Sequence, residues 1–306
     1  MTRTAQFLEL QPLLFSIAYR ILGQVSEAED AVQKAWVRYQ NIVDEPRSAK
    51  SFLCAVVTRI CIDVQRSARV RREQYVGPWF PEPLAHDPYT DPERMAELND
   101  SLSYSALLLL ERLSALERAA FVLHEVFGFD YAEVAAAVDR SEPACRQLVA
   151  RARKHVREPR PRFRPDPQAR DELAARFVEA MREGDLTGLR QLLTDDVRFV
   201  GDGGGKGPAF AHPVESLDRA VRLVQGFAAQ LATGLVNLRV QSFNGQPGVL
   251  ISDQRERVVA VMVLETRGER IAQVRAVVNP ETLVHLGEVA DAWALRHQIR
   301  DELRRR

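Results

Sequence analysis

The apolar spacing of this chain changes once along its length, and that change divides it. Up to Val156, apolar residues recur at three- and four-residue intervals, as on one face of a helix. From Leu235 onward they alternate or run in short blocks, as in strands. Two proline-punctuated stretches interrupt and then close the helical part, because proline removes a backbone donor and cannot continue a helix. These are 75–92 and 158–167, the latter reading EPRPRFRPDP. A chain of 306 residues has room for more than one core. The expected organisation is helical over 1–74, a linker over 75–92, helical again over 93–157, a linker over 158–167, and mixed over 168–306. In the last block, helices at 171–183 and 185–193 precede a strand at 197–200. A glycine loop and a helix near 215–231 follow, then strands at 235–243, 248–252, 258–266 and 270–278. Helices followed by a curved antiparallel sheet make an α+β cone.

Formal charge is balanced, 42 basic against 42 acidic residues. The balance conceals segregation, with nine Arg or Lys against two Glu between Arg140 and Arg164, and six acids against one Arg between Glu82 and Asp100. Local basicity sets the attraction to phosphates. Cys54, Cys61 and Cys145 are odd in number and lack metal-ligand spacing, so they read as small buried fillers in a reducing compartment. No apolar run reaches the length of a membrane span and no secretory leader is visible, so a cytoplasmic protein without membrane contact is expected. No cofactor or metal is called for.

Three segments carry chemistry. In SEAEDAVQKAWVRYQ, Ser26 is the expected N-cap with Glu29 completing a capping box. Ala28, Val32, Ala35, Trp36 and Tyr39 fall on one face, leaving Asp30, Gln33, Lys34 and Val37 exposed. Alone this is a well-capped core helix. Further on, DYAEVAAAV (130–138), a turn at 139–141 and a helix at 142–156 have the helix-turn-helix layout, whose second helix enters the major groove. Cys145, Leu148, Val149, Ala152 and Val156 share one side of that helix. Arg146, Gln147, Arg151, Arg153 and Lys154 share the other, with Ser141 as N-cap. Gln suits adenine, Arg suits guanine, and both Arg and Lys bind phosphate. A second basic helix, RICIDVQRSARVRR, carries Arg59, Arg66, Arg69, Arg71 and Arg72. By itself it does not separate a DNA contact from a solvated charged face.

In this order, AEDAVQKAW, the Arg-rich helix and SEPACRQLVARARKHV resemble regions two and four of extracytoplasmic-function (ECF) sigma factors of bacterial RNA polymerase. The remainder resembles the SnoaL-like cone carried by one subgroup of that family. The subgroup's W-L-P-E-P motif corresponds to Trp79, Phe80, Pro81, Glu82 and Pro83. Its D-G-G-G-K loop corresponds to Asp202, Gly203, Gly204, Gly205 and Lys206, and its N-P-D-K-L motif to Asn279–Leu283, here NPETL. The resemblance implies a transcription initiation factor that binds core RNA polymerase through Asp30, Gln33 and Trp36 and recognises promoter DNA through the two basic helices. It further implies regulation from within by the cone, in place of a separate anti-sigma factor and without catalysis. Trp79–Pro83, Asp202–Lys206, Asn279 and Pro280 are then expected near one regulatory surface, with Trp79 as anchor. Lys34 stands where the family has an acid. Glu281-Thr282 stands where it has Asp-Lys, which removes a salt bridge through that lysine.

The alternative is a cone that binds or turns over a small molecule. That chemistry needs a buried acid or base aimed at a substrate; the candidates are His212, Asp196, Asp202 and Asp253. GDGGGKG is not a phosphate-binding P-loop, because the G-x-x-x-x-G-K-[ST] spacing is missing.

Overall fold

The computed structural model describes residues 2–73, 75–89, 103–156, 167–210 and 212–305, except for the side chains of residues 68–73 and 167. The chain divides into two units, Met1–Gln74 with His86–Pro159, and Tyr75–Ala85 with Arg160–Arg306.

In the first unit, α1 (Arg3–Leu22), α2 (Val25–Gln40) and α3 (Ala49–Glu73) pack on one another. Their shared interior contains Leu14, Ile17, Ile21, Ala28, Val32, Leu53, Val57 and Cys61. Thr2 caps α1, and Gly23 ends it with φ of 77°, a left-handed conformation that glycine adopts without a Cβ penalty. The chain then turns directly into α2 with Val25 buried at its first position. The N-cap is therefore Gln24, whose extended backbone makes no side-chain cap bond, and the expected Ser26–Glu29 capping box does not exist. Burial of Val25 draws the helix start forward past the better capping residue.

The second half of this unit holds α4 (Tyr104–Leu110), α5 (Ala115–Phe121), α6 (Tyr131–Val138) and α7 (Glu142–Val156). Capping boxes at Ser114/Glu117 and Asp130/Glu133 fix the starts of α5 and α6. A π-helical turn, Val122–Val126, continues α5. Asp139, at φ of 55°, ends α6 and opens the tight turn to α7. Helix α3 packs against α5 and α6, so both halves belong to one body.

The second unit carries α8 (Pro167–Glu183), α9 (Leu186–Leu192) and α10 (Leu217–Leu231) against a six-stranded sheet. Its strands are β1 (Leu193–Asp202), β2 (Val214–Glu215), β3 (Val236–Phe243), β4 (Gln246–Asp253), β5 (Val258–Arg267) and β6 (Arg270–Val277), ordered β2-β1-β6-β5-β4-β3. The sheet is mixed rather than antiparallel, because β1 runs parallel to β6. A parallel pair needs a long crossover, which here is everything between β1 and β6. Leu173, Phe177, Leu189, Val197, Phe199, Val221, Val224, Met262 and Val274 fill the space between helices and sheet. This is the expected α+β cone. Helix α11 (Ala292–Arg305) ends the unit and buries Leu295 and Ile299.

Candidate functional site

On α2, Asp30, Gln33, Lys34 and Val37 are exposed, as the helical spacing predicts. Trp36 is half-buried, its ring 4.7 Å from that of Phe7, so it braces α1 while presenting one edge outward. Leu8 (58% exposed) and Val37 (54%) add apolar surface on the same helix pair. The face thus offers acceptors, a donor and solvent-exposed carbon together, which suits a protein partner.

Helix α7 separates its two faces as its sequence does. Cys145, Leu148, Val149 and Ala152 are buried, whereas Arg146, Gln147, Arg151, Arg153 and Lys154 are exposed. Three of these arginines hold carboxylates. Arg146 pairs with Glu142 at 2.9 Å, Arg151 with Glu117 at 3.2 Å and Arg153 with Glu125 at 2.6 Å. Burial pushes the Glu117 carboxyl up, but its bonds to Ser114 and the charge of Arg151 outweigh this and hold it below the usual range. The Ser141 hydroxyl accepts from Ala144 N at 3.4 Å, a long cap bond.

The other basic helix behaves differently. Arg59 donates from Nη2 to the Ala136 carbonyl at 2.5 Å and from Nε to that of Ala137 at 3.2 Å. A cation at these carbonyls complements the negative end of α6. Arg66 is exposed near Asp63. Arg69, Arg71 and Arg72 lie outside the described side chains.

Beneath these surfaces runs a buried polar chain that sequence reading missed. Arg118 is fully buried; its Nε donates to the Arg20 carbonyl at 2.8 Å and its Nη1 pairs with Glu111. Arg20, also buried, pairs with Asp87 at 2.7 Å and lies over the Phe127 ring. The available signal was an arginine within the apolar run of α5.

In the second unit the glycine loop is tied to the proline-rich segment. Asp202 is fully buried and accepts from Tyr75 Oη (2.5 Å), Phe80 N (3.1 Å) and Gly204 N (3.1 Å). Asn279 Nδ2 donates to Tyr75 Oη at 2.9 Å, and the Asp202 carbonyl accepts from the backbone of Val278 and Asn279. Gly204 is required here, since it has φ of 55° and a Cβ would stand 2.5 Å from Asn279 Nδ2. Burial raises the Asp202 pKa against the three bonds that favour its charge. The same burial, reinforced by Asp202, pushes the Tyr75 phenol up.

Within WFPEP, the anchor is Phe80, 5% exposed, while Trp79 is half-buried. Pro81, Glu82 and Pro83 are buried as well. The Pro83 carbonyl accepts from His285 Nε2 at 2.8 Å, and Leu84 exchanges bonds with Asn244 in the β3–β4 turn. Lys206 pairs with Glu281, one of the two residues at which the last motif departs from the family's. Pro280 opens the short turn after Asn279. The sequence singled out all three motifs, but Tyr75, which bonds to two of them through Asp202 and Asn279, stands four residues before the third.

The residues considered for catalysis do not converge. Asp196 pairs with Arg267 and Asp253 with Arg257, Asp202 is held as above, and His212 is exposed. An open depression of about 510 Å³ between α8 and β3, lined by Val178, Glu179, Arg182, Leu238 and Val240, contains none of the four. No helix among the described residues is long and apolar enough to cross a membrane, and these residues contain no metal-binding cluster.

The Sigma-70 region 2 family matches residues 7–71 and the Sigma-70 region 4 family residues 105–156. The chain is 35% identical to the ECF RNA polymerase sigma factor SigJ of Mycobacterium tuberculosis over 90% of its length and 92% of the relative's. It is 32% identical to the probable ECF sigma factor SigI of the same species, over 88% and 91% of the two chains. The crystal structure of M. tuberculosis SigJ matches with a TM-score of 0.70 and 32% identity, covering 92% of this chain and 98% of that one. Two sigma-70 regions in order, a helix-turn-helix with one basic face and 35% identity to SigJ over 90% of the chain together place it among the ECF sigma factors of RNA polymerase, which direct the core enzyme to promoters.

Proposed function

We propose that this sigma factor engages core RNA polymerase through the exposed face of α2, with Asp30 and Gln33 as polar contacts and Trp36 as their brace. Promoter DNA is read by α7, with Arg146 and Gln147 at base edges and Arg151, Arg153 and Lys154 at phosphates. Helix α3 supplies a second contact, and Arg59 joins it only after releasing the Ala136 and Ala137 carbonyls. The protein acts in the cytoplasm, where the transcription machinery is. The observation that carries this reading is α7 itself, where buried Cys145, Leu148, Val149 and Ala152, with half-buried Val156, oppose an exposed basic face.

The cone regulates from within: its body, whose Asp202–Lys206 loop grips the Tyr75–Leu84 segment, supports activity, and its tail restrains it in place of a separate anti-sigma factor. It is not an enzyme in this reading, because Asp196, Asp202 and Asp253 are each committed to different structural partners. A small-molecule ligand in the cone is the competing role.

The test is promoter selection by reconstituted holoenzyme from a library randomised in the upstream element. Arg146→Ala and Gln147→Ala should change the sequence preference, each good bidentate contact being worth about 1–3 kcal/mol. Lys154→Ala should weaken all sequences alike and reduce the salt slope. An unchanged preference in both base-reading variants would remove α7 from the recognition role.

A further inference from the structure

One irregularity of the first unit is not used by that assignment. Helix α5 widens into the π-turn Val122–Val126 just before the helix-turn-helix. Such turns are rare and concentrate at functional sites. Here the turn carries His124, which stacks on the Tyr131 ring with centroids 4.1 Å apart and planes 29° from parallel. The His124 ring is fixed, because Nδ1 lies 2.9 Å from the Phe129 carbonyl and must carry the proton that this acceptor needs. Phe129 is itself buried, and its N–H returns to the Leu123 carbonyl at 3.0 Å. Tyr131 is the first residue of α6, held in register by the Asp130/Glu133 capping box. On the Tyr131 ring rests the guanidinium of Arg146, 5.0 Å from its centroid.

We propose that Tyr131, backed by His124, is a positioning residue for promoter recognition, a platform that aims Arg146 at its base pair. This rests on the reading of Arg146 as a base contact. The chemistry favours it over the alternative support for Arg146, the ion pair with Glu142. A carboxylate occupies the N–H edge that a guanine O6 and N7 would use. An aromatic face takes the guanidinium from its flat side and leaves that edge free. On binding DNA, Arg146 can therefore release Glu142 and keep Tyr131. Its long side chain enters the groove with part of its rotamer freedom already removed, which is how rigid support raises affinity without adding a contact. The π-turn acquires a reason, since it carries His124, which stacks on the same ring.

The experiment uses holoenzyme made with the full chain. Its probes are the upstream element selected by the wild type, the same element changed at the Arg146-dependent base pair, and an unrelated duplex. Tyr131→Leu should weaken binding to the selected element about two- to five-fold, the worth of an exposed cation–π contact. It should leave the changed element, the unrelated duplex and the salt slope as in wild type. Tyr131→Phe should behave as wild type, and His124→Ala should share the Tyr131→Leu defect in part. In the Arg146→Ala background, Tyr131→Leu should have no further effect. A ring that merely stabilised the fold would weaken all three duplexes, or act undiminished in the Arg146→Ala background, and either result overturns the proposal. If Arg146→Ala alone leaves the preference unchanged, the assignment of Arg146 as a base reader fails and the platform falls with it. Native circular dichroism of Tyr131→Phe alongside Tyr131→Leu separates loss of the ring from loss of the fold.

Discussion

Asp202 shows how one residue fixes a segment distant in sequence. Three donors converge on its carboxylate inside a site without solvent access, so both its charge and its geometry matter. Asparagine in its place presents an NH2 group to one set of donors, and an unsatisfied buried group costs about 1–3 kcal/mol. Asp202→Asn should therefore loosen Tyr75–Phe80, seen as faster hydrogen exchange at the Phe80 and Gly204 amides. Because the folded-state pKa of Asp202 is raised, its contribution to stability is fully present below the ordinary aspartate pKa and is lost as pH rises through the raised value. Asp196, Asp218 and Asp253 are shifted down and act in the opposite sense, so the wild-type-minus-variant difference is the quantity to follow. Denaturation followed by Trp79 and Trp293 fluorescence should show the wild-type advantage shrinking from acid toward neutral pH. An advantage independent of pH would mean that Asp202 ionises as it does in water. The aspartate and its glycines could be read from the sequence, because a Gly run beside a charge has few other uses. Tyr75 could not, since a tyrosine at the end of a helix and the start of a proline-rich stretch follows no period that would betray its partner.

Among the elements, the helices of the first unit depend on a polar chain rather than on apolar packing alone. Arg118 on α5 reaches the end of α1 through the Arg20 carbonyl and is neutralised by Glu111. Removing one member of a buried ion pair strands the other, at a cost of about 3–5 kcal/mol. Arg118→Ala should destabilise the first unit by that order in urea unfolding followed by Trp36 fluorescence. Arg118→Met with Glu111→Gln should recover much of the loss, because no uncompensated charge remains. A single variant within experimental error of wild type would show the chain to be ornamental. Helix positions and most strands were legible because each buries one face and so prints its period in the sequence. The parallel pairing of β1 with β6 was not, since strand periodicity records which face is buried and not which neighbour is bonded. The two-residue β2 and the π-turn are too short to show a period at all.

At the scale of the molecule, the segment joining the two sigma-70 regions is not a free tether. Of 75–92, residues 75–85 belong to the unit that contains the cone and His86–Tyr89 to the other, while the rest lies outside the described residues. Phe80 and Leu84 are buried there through partners supplied by Asp202, Asn244, Asn279 and His285. The family resemblance set Trp79–Pro83 beside Asp202–Lys206 and Asn279, but the spacing of the residues themselves marked this stretch only as irregular and did not point to Asn244 or His285 as its partners. Two truncations should therefore act differently. Ending the chain after Pro167 removes every one of those partners and leaves Phe80 and Leu84 exposed, so transcription from reconstituted holoenzyme should fall several-fold. Ending it after Asp291 keeps the pairing of 288–290 with Val258 and removes α11, which is held by Leu295, Ile299 and a bond from Trp293 Nε1 to the Lys206 carbonyl at 2.9 Å. The residues filling the cone between helices and sheet all precede Val277, so the fold should survive that cut. If α11 restrains the glycine loop through Lys206, transcription from the shorter-tailed chain should rise, while Trp293→Phe, which keeps the ring and loses the bond, should rise less. Equal activity of both truncated chains and the full chain, measured on one promoter at one polymerase concentration, would leave the cone without a regulatory role.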